Sequence, residues 1–258
     1  MKAIIDMDSM VYRAFPGRQS AGGPSRVFTA AEDDEYIASA WETFKRRVNE
    51  VQTFTFSDSF KGAIGGKDNF RDQMFPDYKA HRRTQDKSEQ KELVRSVCEM
   101  AIAEGLATPA DGREADDLVR IWAEEARAAN EDFVICRIDK DLECIPGIHC
   151  LMHDSQALVI KHISEKHALR HYYAQLICGD SGDYIEGVPG IGPQGAASTL
   201  LRCFDVPQMR RAVLHAYKNH FGEEWYERLT FNGRLIHIQT TLDDVFDPLD
   251  WPEASAFL

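Results

Sequence analysis

The chain has 258 residues, with 30 Lys and Arg against 42 Asp and Glu, a formal charge of −12 with histidine neutral. This length accommodates one large α/β domain or two small ones, and 43% hydrophobic with 28% charged residues excludes a disordered chain. No apolar run approaches the about 18 residues that a membrane helix needs, and on its face the negative charge argues against a nucleic-acid partner.

Taken in chain order, Lys2–Asp6 reads as a short buried strand ending in an acid. Its apolar length is too small for a signal peptide. Residues 31–48 carry Ile37, Trp41, Phe44 and Val48 at helical spacing. Val51–Phe56 (VQTFTF) is β-branched and aromatic, which predicts a second strand closed by Ser57-Asp58. Residues 89–104 and 114–129 have helical periodicity, and Phe133–Ile138 (FVICRI) predicts a third strand ending at Asp139. Two further strands are expected at 148–152 and 158–162, and a helix at 165–178. Beyond Gly179 the chain turns Gly-rich and is then helical to about residue 229. The tail 243–258 holds five acids and no base, which predicts a surface segment. Six cysteines without a C-x-x-C pair, mostly inside apolar runs, read as reduced buried thiols in a cytoplasm.

Alternating strands and helices argue a mostly parallel sheet with helices on both faces. Ligands of such sheets bind beyond the carboxyl ends of the strands. Asp6, Asp58 and Asp139 would converge there. Three further groups add acids: Glu114, Asp116 and Asp117 opening a helix, Asp141 two residues after Asp139, and Asp180 with Asp183. Some of these suit a helix N-terminus. Nine carboxylates in five clusters nevertheless exceed what capping uses, and such crowding is costly unless hard cations neutralise it. Mg²⁺ or Mn²⁺ fits oxygen donors, and two such ions about 4 Å apart can drive phosphodiester hydrolysis. No His or Cys spacing suggests zinc.

The segment G-V-P-G-I-G-P over 187–193, followed by small residues, is a helix-hairpin-helix signature. Gly187, Gly190 and Gly192 would let backbone amides approach a phosphate. Phe70-Arg71 and Tyr78-Lys79-Ala80-His81-Arg82-Arg83 interleave aromatics with cations, and residues 79–95 and 195–220 each carry a net charge of +3. Together these sketch a track for a polyanion.

In order, the motifs are I-I-D at Asp6, S-D at Asp58, F-R-x6-Y-K-x-x-R over 70–82, E-A-D-D over 114–117, I-D-K-D-L over 138–142, G-D-x-x-D over 179–183, and the glycine hairpin. Over residues 4 to about 200 the chain resembles the 5′→3′ exonuclease / flap endonuclease superfamily, especially bacteriophage 5′ nucleases and the nuclease domain of bacterial DNA polymerase I. The resemblance implies a PIN-like α/β catalytic domain over 1–178 with a helical arch near 70–95. A helical region carrying the helix-hairpin-helix (helix-three-turn-helix) would occupy 179–258. It implies Asp6, Asp58, Glu114, Asp116, Asp117 and Asp139 around a first metal and Asp141, Asp180 and Asp183 around a second. Lys79, Arg82 and Asp139 would be catalytic. Arg71, Tyr78, Lys79, Arg82, Arg83, Gly187, Gly190, Gly192 and Gln194 would contact DNA, with Tyr78 packing or stacking on a base and K⁺ on the hairpin carbonyls. The implied partners are double-stranded DNA with a 5′ end or 5′ flap, or an RNA–DNA hybrid, met by a monomer in the cytoplasm (the host's, for a phage chain), with no membrane.

There are departures from the family pattern. Gln194 stands where a Lys is common, Tyr184 replaces an Asn, Asp8 adds an acid, and the polar arch is short. No polymerase domain follows residue 258, so a stand-alone nuclease is expected. Two rivals are a haloacid-dehalogenase-type phosphatase using Asp6 and Asp8, and a catalytically weak DNA-binding module of the same fold. Setting aside the nine site acids and the five in the tail leaves 28 acids against 30 bases, so the overall charge ceases to argue against DNA.

Overall fold

A computed structural model describes residues 1–15, 30–80, 88–153 and 157–258. It divides into two compact units, one built from 1–67, 86–140 and 148–161, the other from 68–85, 141–147 and 162–258. The division therefore does not fall at residue 178, because the helix ending there packs with the C-terminal helices.

The first unit is organised by parallel strands β1 (Lys2–Asp6), β2 (Ser59–Gly65), β3 (Thr108–Ala110), β4 (Phe133–Arg137) and β5 (Gly147–Met152). With β6 (Leu158–Ile163) they form one six-stranded sheet in the order β3-β2-β1-β4-β5-β6. Ala3 and Ile5 face one side of β1, where they pack with residues of α1 (Asp8–Ala14), α2 (Ala30–Thr55) and α4 (Ser88–Ala103). Ile4, fully buried, alternates to the face where α5 (Ala115–Ala128) lies on β1 and β2.

VQTFTF is not a strand; its first five residues, Val51–Thr55, are the last part of α2. Phe44, Val48, Val51 and Thr55 are all buried while Phe54 is 41% exposed, so the helical period continues through a β-branched composition. Phe56 takes a φ of 53° and ends the helix.

The second unit surrounds α6 (Glu165–Cys178), against which α7 (Pro193–Leu201), α8 (Val206–Phe221) and α9 (Trp225–Ile236) pack. The short α3 (Phe70–Met74) also belongs to it. The two-residue strands β7 (Gly179–Asp180) and β8 (Ile185–Glu186) pair antiparallel across a four-residue turn. Gly179 has φ +72°, and a Cβ there would lie 2.3 Å from the Gly187 nitrogen, so the two glycines allow the backbones to touch. Asn232 bonds the Glu186 carbonyl at 2.6 Å and the Tyr217 hydroxyl at 2.9 Å, tying α9 to this hairpin.

The acidic tail is not a surface strap. Phe246, Trp251 and Ala254 are buried, and the Trp251 ring meets Phe246 and Tyr173 edge-on at 5.6 and 5.8 Å. Its hydrophobic content outweighs its charge. Trp251→Ala is expected to cost about 3–5 kcal/mol, read as a loss in denaturant midpoint; an unchanged midpoint would mean that the tail does not hold this unit together. All six cysteines are free thiols, four of them buried. Among the described residues no helix is long and apolar enough to cross a membrane.

Candidate active site

In the first unit β1, β2, β3 and β4 run in parallel, so their carboxyl ends share one edge. Asp6 ends β1, Asp139 follows β4, and the β3–α5 turn brings Glu114, Asp116 and Asp117 to the same edge. Asp6 is 3% exposed, and its carboxyl is pushed up to about 7, first by burial and then by the charges of Asp8 and Asp139. Asp117 is fully buried and its Oδ2 accepts the Glu114 amide at 2.9 Å, so this acid also caps α5. Asp8 accepts the Gly65 amide at 2.7 Å and lies at this edge too.

Asp58 lies elsewhere. Strand β2 starts at Ser59 opposite Lys2, so Asp58 sits at the amino edge, 86% exposed and 2.8 Å from the Met1 ammonium. Asp58 therefore does not join the acids at the carboxyl edge, where both the family resemblance and the expected strand placed it: the residues expected as that strand end α2, and β2 begins only after Asp58.

In the second unit Asp141, Asp180 and Asp183 each offer an oxygen, and these oxygens lie within 4.8 Å of one another. Each acid is held. The Gln175 amide donates to Asp141 at 2.8 Å, and the Gly182 nitrogen to Asp180 at 2.8 Å. The Tyr78 hydroxyl reaches Asp183 at 3.3 Å, and the Lys79 ammonium at 3.4 Å. Lys79 adopts φ 51°, its amide donates to the Asp183 carbonyl at 3.3 Å, and its ammonium lies 4.8 Å over the Tyr78 ring. Gln175 carries no sequence signal, since its role depends on α6 passing Asp141.

Two DNA contacts expected from the sequence are structural instead. The Tyr78 ring is 2% exposed within the second unit's core and offers no face to a base. Arg71 is 1% exposed and donates to the carbonyls of Leu235 at 2.9 Å and His237 at 2.6 Å, satisfying the end of α9. Arg82 and Arg83 lie outside the described residues, as does the 81–87 stretch of the expected arch. In the basic stretch 195–220, Arg210 rests 5.6 Å over Trp251 and Lys218 pairs with Glu223 at 2.9 Å.

The glycine hairpin has the expected form. Buried Val188 anchors it, with its amide donating to the Ile177 carbonyl at 2.7 Å. Gly190, Gly192 and Gln194 are exposed, Gly187 is half-buried, and α7 begins at Pro193. The loop and the start of a helix thus present backbone to solvent.

The acids of both sites offer only carboxylate oxygens, which suit hard divalent cations. The buried, crowded Asp6 adds a direct reason for a cation at the first.

A model of the 5′-3′ exonuclease N-terminal resolvase-like domain matches residues 2–175. DNA polymerase I of Rhizobium leguminosarum is 33% identical over 141 residues, 51% of this chain but 14% of that protein. Flap endonuclease Xni of Shewanella amazonensis is 32% identical over 143 residues, 52% of this chain and 55% of that one. The chain thus spans about half or less of the length of these two relatives. Xni of Shewanella halifaxensis is 31% identical over 220 residues, 77% of this chain and 83% of the relative. A bacteriophage T5 flap endonuclease complex with DNA and metal ions superposes with a TM-score of 0.63 at 16% identity. The match covers 93% of this chain and 89% of that one, and shows a shared fold. The family match leaves no place for the phosphatase reading of Asp6 and Asp8. With its matched segment covering more than half of the sequence, the chain belongs to the 5′-3′ exonuclease family and carries the family's N-terminal resolvase-like domain.

Proposed function

We propose that this chain hydrolyses phosphodiester bonds of duplex or flap DNA from the 5′ end, leaving 5′-phosphorylated nucleotides, with one divalent cation at each carboxylate cluster. The observation that carries this reading is the all-oxygen group of Asp141, Asp180 and Asp183, flanked by the Lys79 ammonium at 3.4 Å from Asp183, together with the buried Asp6 of the first unit, which has Asp8 and Asp139 as its charged neighbours. Mg²⁺ is the proposed ion and Mn²⁺ a substitute. Bound there, such ions activate water and stabilise charge on phosphate oxygens.

The chain's own groups supply the rest. Asp6, Glu114, Asp116, Asp117 and Asp139 hold the first ion, and Asp141, Asp180 and Asp183 the second. Gln175, Tyr78 and the Gly182 amide fix the second set before substrate arrives. Lys79, with Arg82 as its proposed partner, meets the charge that builds on the phosphate. The exposed amides of the hairpin and the start of α7 grip the backbone of a duplex, and the hairpin carbonyls take K⁺. Such contacts position DNA without reading bases. The chain acts as a monomer.

A panel of 5′-flap, blunt duplex and RNA–DNA hybrid substrates, each labelled at either end, tests this reading. Cleavage near labelled 5′ ends with Mg²⁺ is expected on flap and duplex. Activity confined to 3′ ends contradicts the proposal.

A further inference from the structure

Strand β2 ends at Gly65 and Gly66 follows it, so it brings no acid of its own to the carboxyl edge, and Asp58 stands just before the other end of the strand. The space beyond Gly65 is filled all the same. Asp8, from the first turn of α1, places its Oδ1 2.7 Å from the Gly65 amide. A Cβ built on Gly65 would lie 3.2 Å from Asp8 Oδ2 and 3.4 Å from Oδ1, so the carboxylate occupies the ground that a side chain at 65 would enter. The Asp8 amide in turn donates to Asp6 Oδ1 at 3.2 Å, which keeps both carboxylates at the ends of neighbouring strands.

We propose that Asp8 is a cation-binding carboxylate of the first unit, supplied from α1 where β2 supplies none. The assignment rests on the metal-dependent reading above. It explains why an acid follows two residues after Asp6 and why residue 65 lacks a side chain: a larger residue there would press on the Asp8 oxygens. The competing role is structural, with Asp8 merely capping the Gly65 amide. Asn at position 8 separates the two, because its carbonyl oxygen can still accept that hydrogen bond while the charge is gone.

The test is Mn²⁺ binding to the metal-free full chain by isothermal titration calorimetry, without DNA, for the wild type, Asp8→Asn, Asp6→Asn and Asp58→Asn. A melting curve in EDTA confirms that each variant folds. Asp8→Asn is expected to weaken one class of Mn²⁺ site by about 10- to 100-fold, with Asp58→Asn matching the wild type. If Asp8→Asn binds Mn²⁺ like the wild type while Asp6→Asn does not, the Asp8 assignment is wrong and the metal-dependent reading survives. If the wild type binds no Mn²⁺, both are wrong.

Discussion

Replacing Asp6 by Asn is expected to lower Mg²⁺-supported cleavage by about 10³-fold or more and, in EDTA, to make the protein more stable at pH 8. Both effects have one origin. Asp6 is buried among Asp8 and Asp139, which raises its carboxyl from 3.8 to about 7. A raised folded value means that the protonated form is favoured by folding. That contribution is fully present below pH 3.8 and is lost as pH climbs through about 7. With one pH unit worth about 1.4 kcal/mol, the metal-free wild type should lose on the order of 4 kcal/mol from this residue over that window. The Asn variant carries no such titration. Melting curves in EDTA at pH 5 and pH 8 measure the difference directly. The wild type should fall more steeply with pH than the variant, and Mg²⁺ should restore the wild type at pH 8 but not the variant. Equal pH slopes would show that Asp6 is not under this strain.

Lys79→Ala should slow single-turnover cleavage by about 10²- to 10³-fold while changing DNA affinity much less. The ammonium is held beside Asp183 at 3.4 Å and over the Tyr78 ring at 4.8 Å, on a backbone with φ 51°. A side chain fixed in this way pays little ordering cost when charge develops on a phosphate. Because a phosphate already carries charge before reaction, some affinity is lost too, but the larger effect falls on the step where charge builds. Lys79→Arg keeps the charge with a different donor geometry and should recover part of the rate. Equal losses in rate and affinity would make Lys79 a docking residue.

Much of the α/β plan was legible because buried strands and amphipathic helices differ in period. Lys2–Asp6 and Glu165–Cys178 fall where the sequence places them. The failures share a cause, which is composition read in place of period or packing. VQTFTF looks like a strand by residue type, yet it continues the buried stripe of Phe44 and Val48, and that error moved Asp58 to the wrong end of the sheet. Arg71 and Tyr78 look like a basic and aromatic surface. They are buried because Arg71 serves carbonyls 164 and 166 residues away and Tyr78 braces Asp183. Contacts of that separation leave no local signal. In the second carboxylate group the spacing of G-D-x-x-D pairs Asp180 with Asp183, whereas Asp141 joins them only through the family resemblance. The part played by Asp8 was not legible, because it depends on which strand ends beside α1.

The most direct measurement uses a 5′-flap duplex carrying separate labels on its 5′ and 3′ ends, incubated with metal-free protein, then with Mg²⁺, then with excess EDTA. No cleavage is expected without metal, 5′-end products bearing 5′-phosphates are expected once Mg²⁺ is added, and chelation is expected to arrest the reaction. Cleavage that continues in EDTA, or that starts from the 3′ end, would contradict metal-dependent cleavage from the 5′ end.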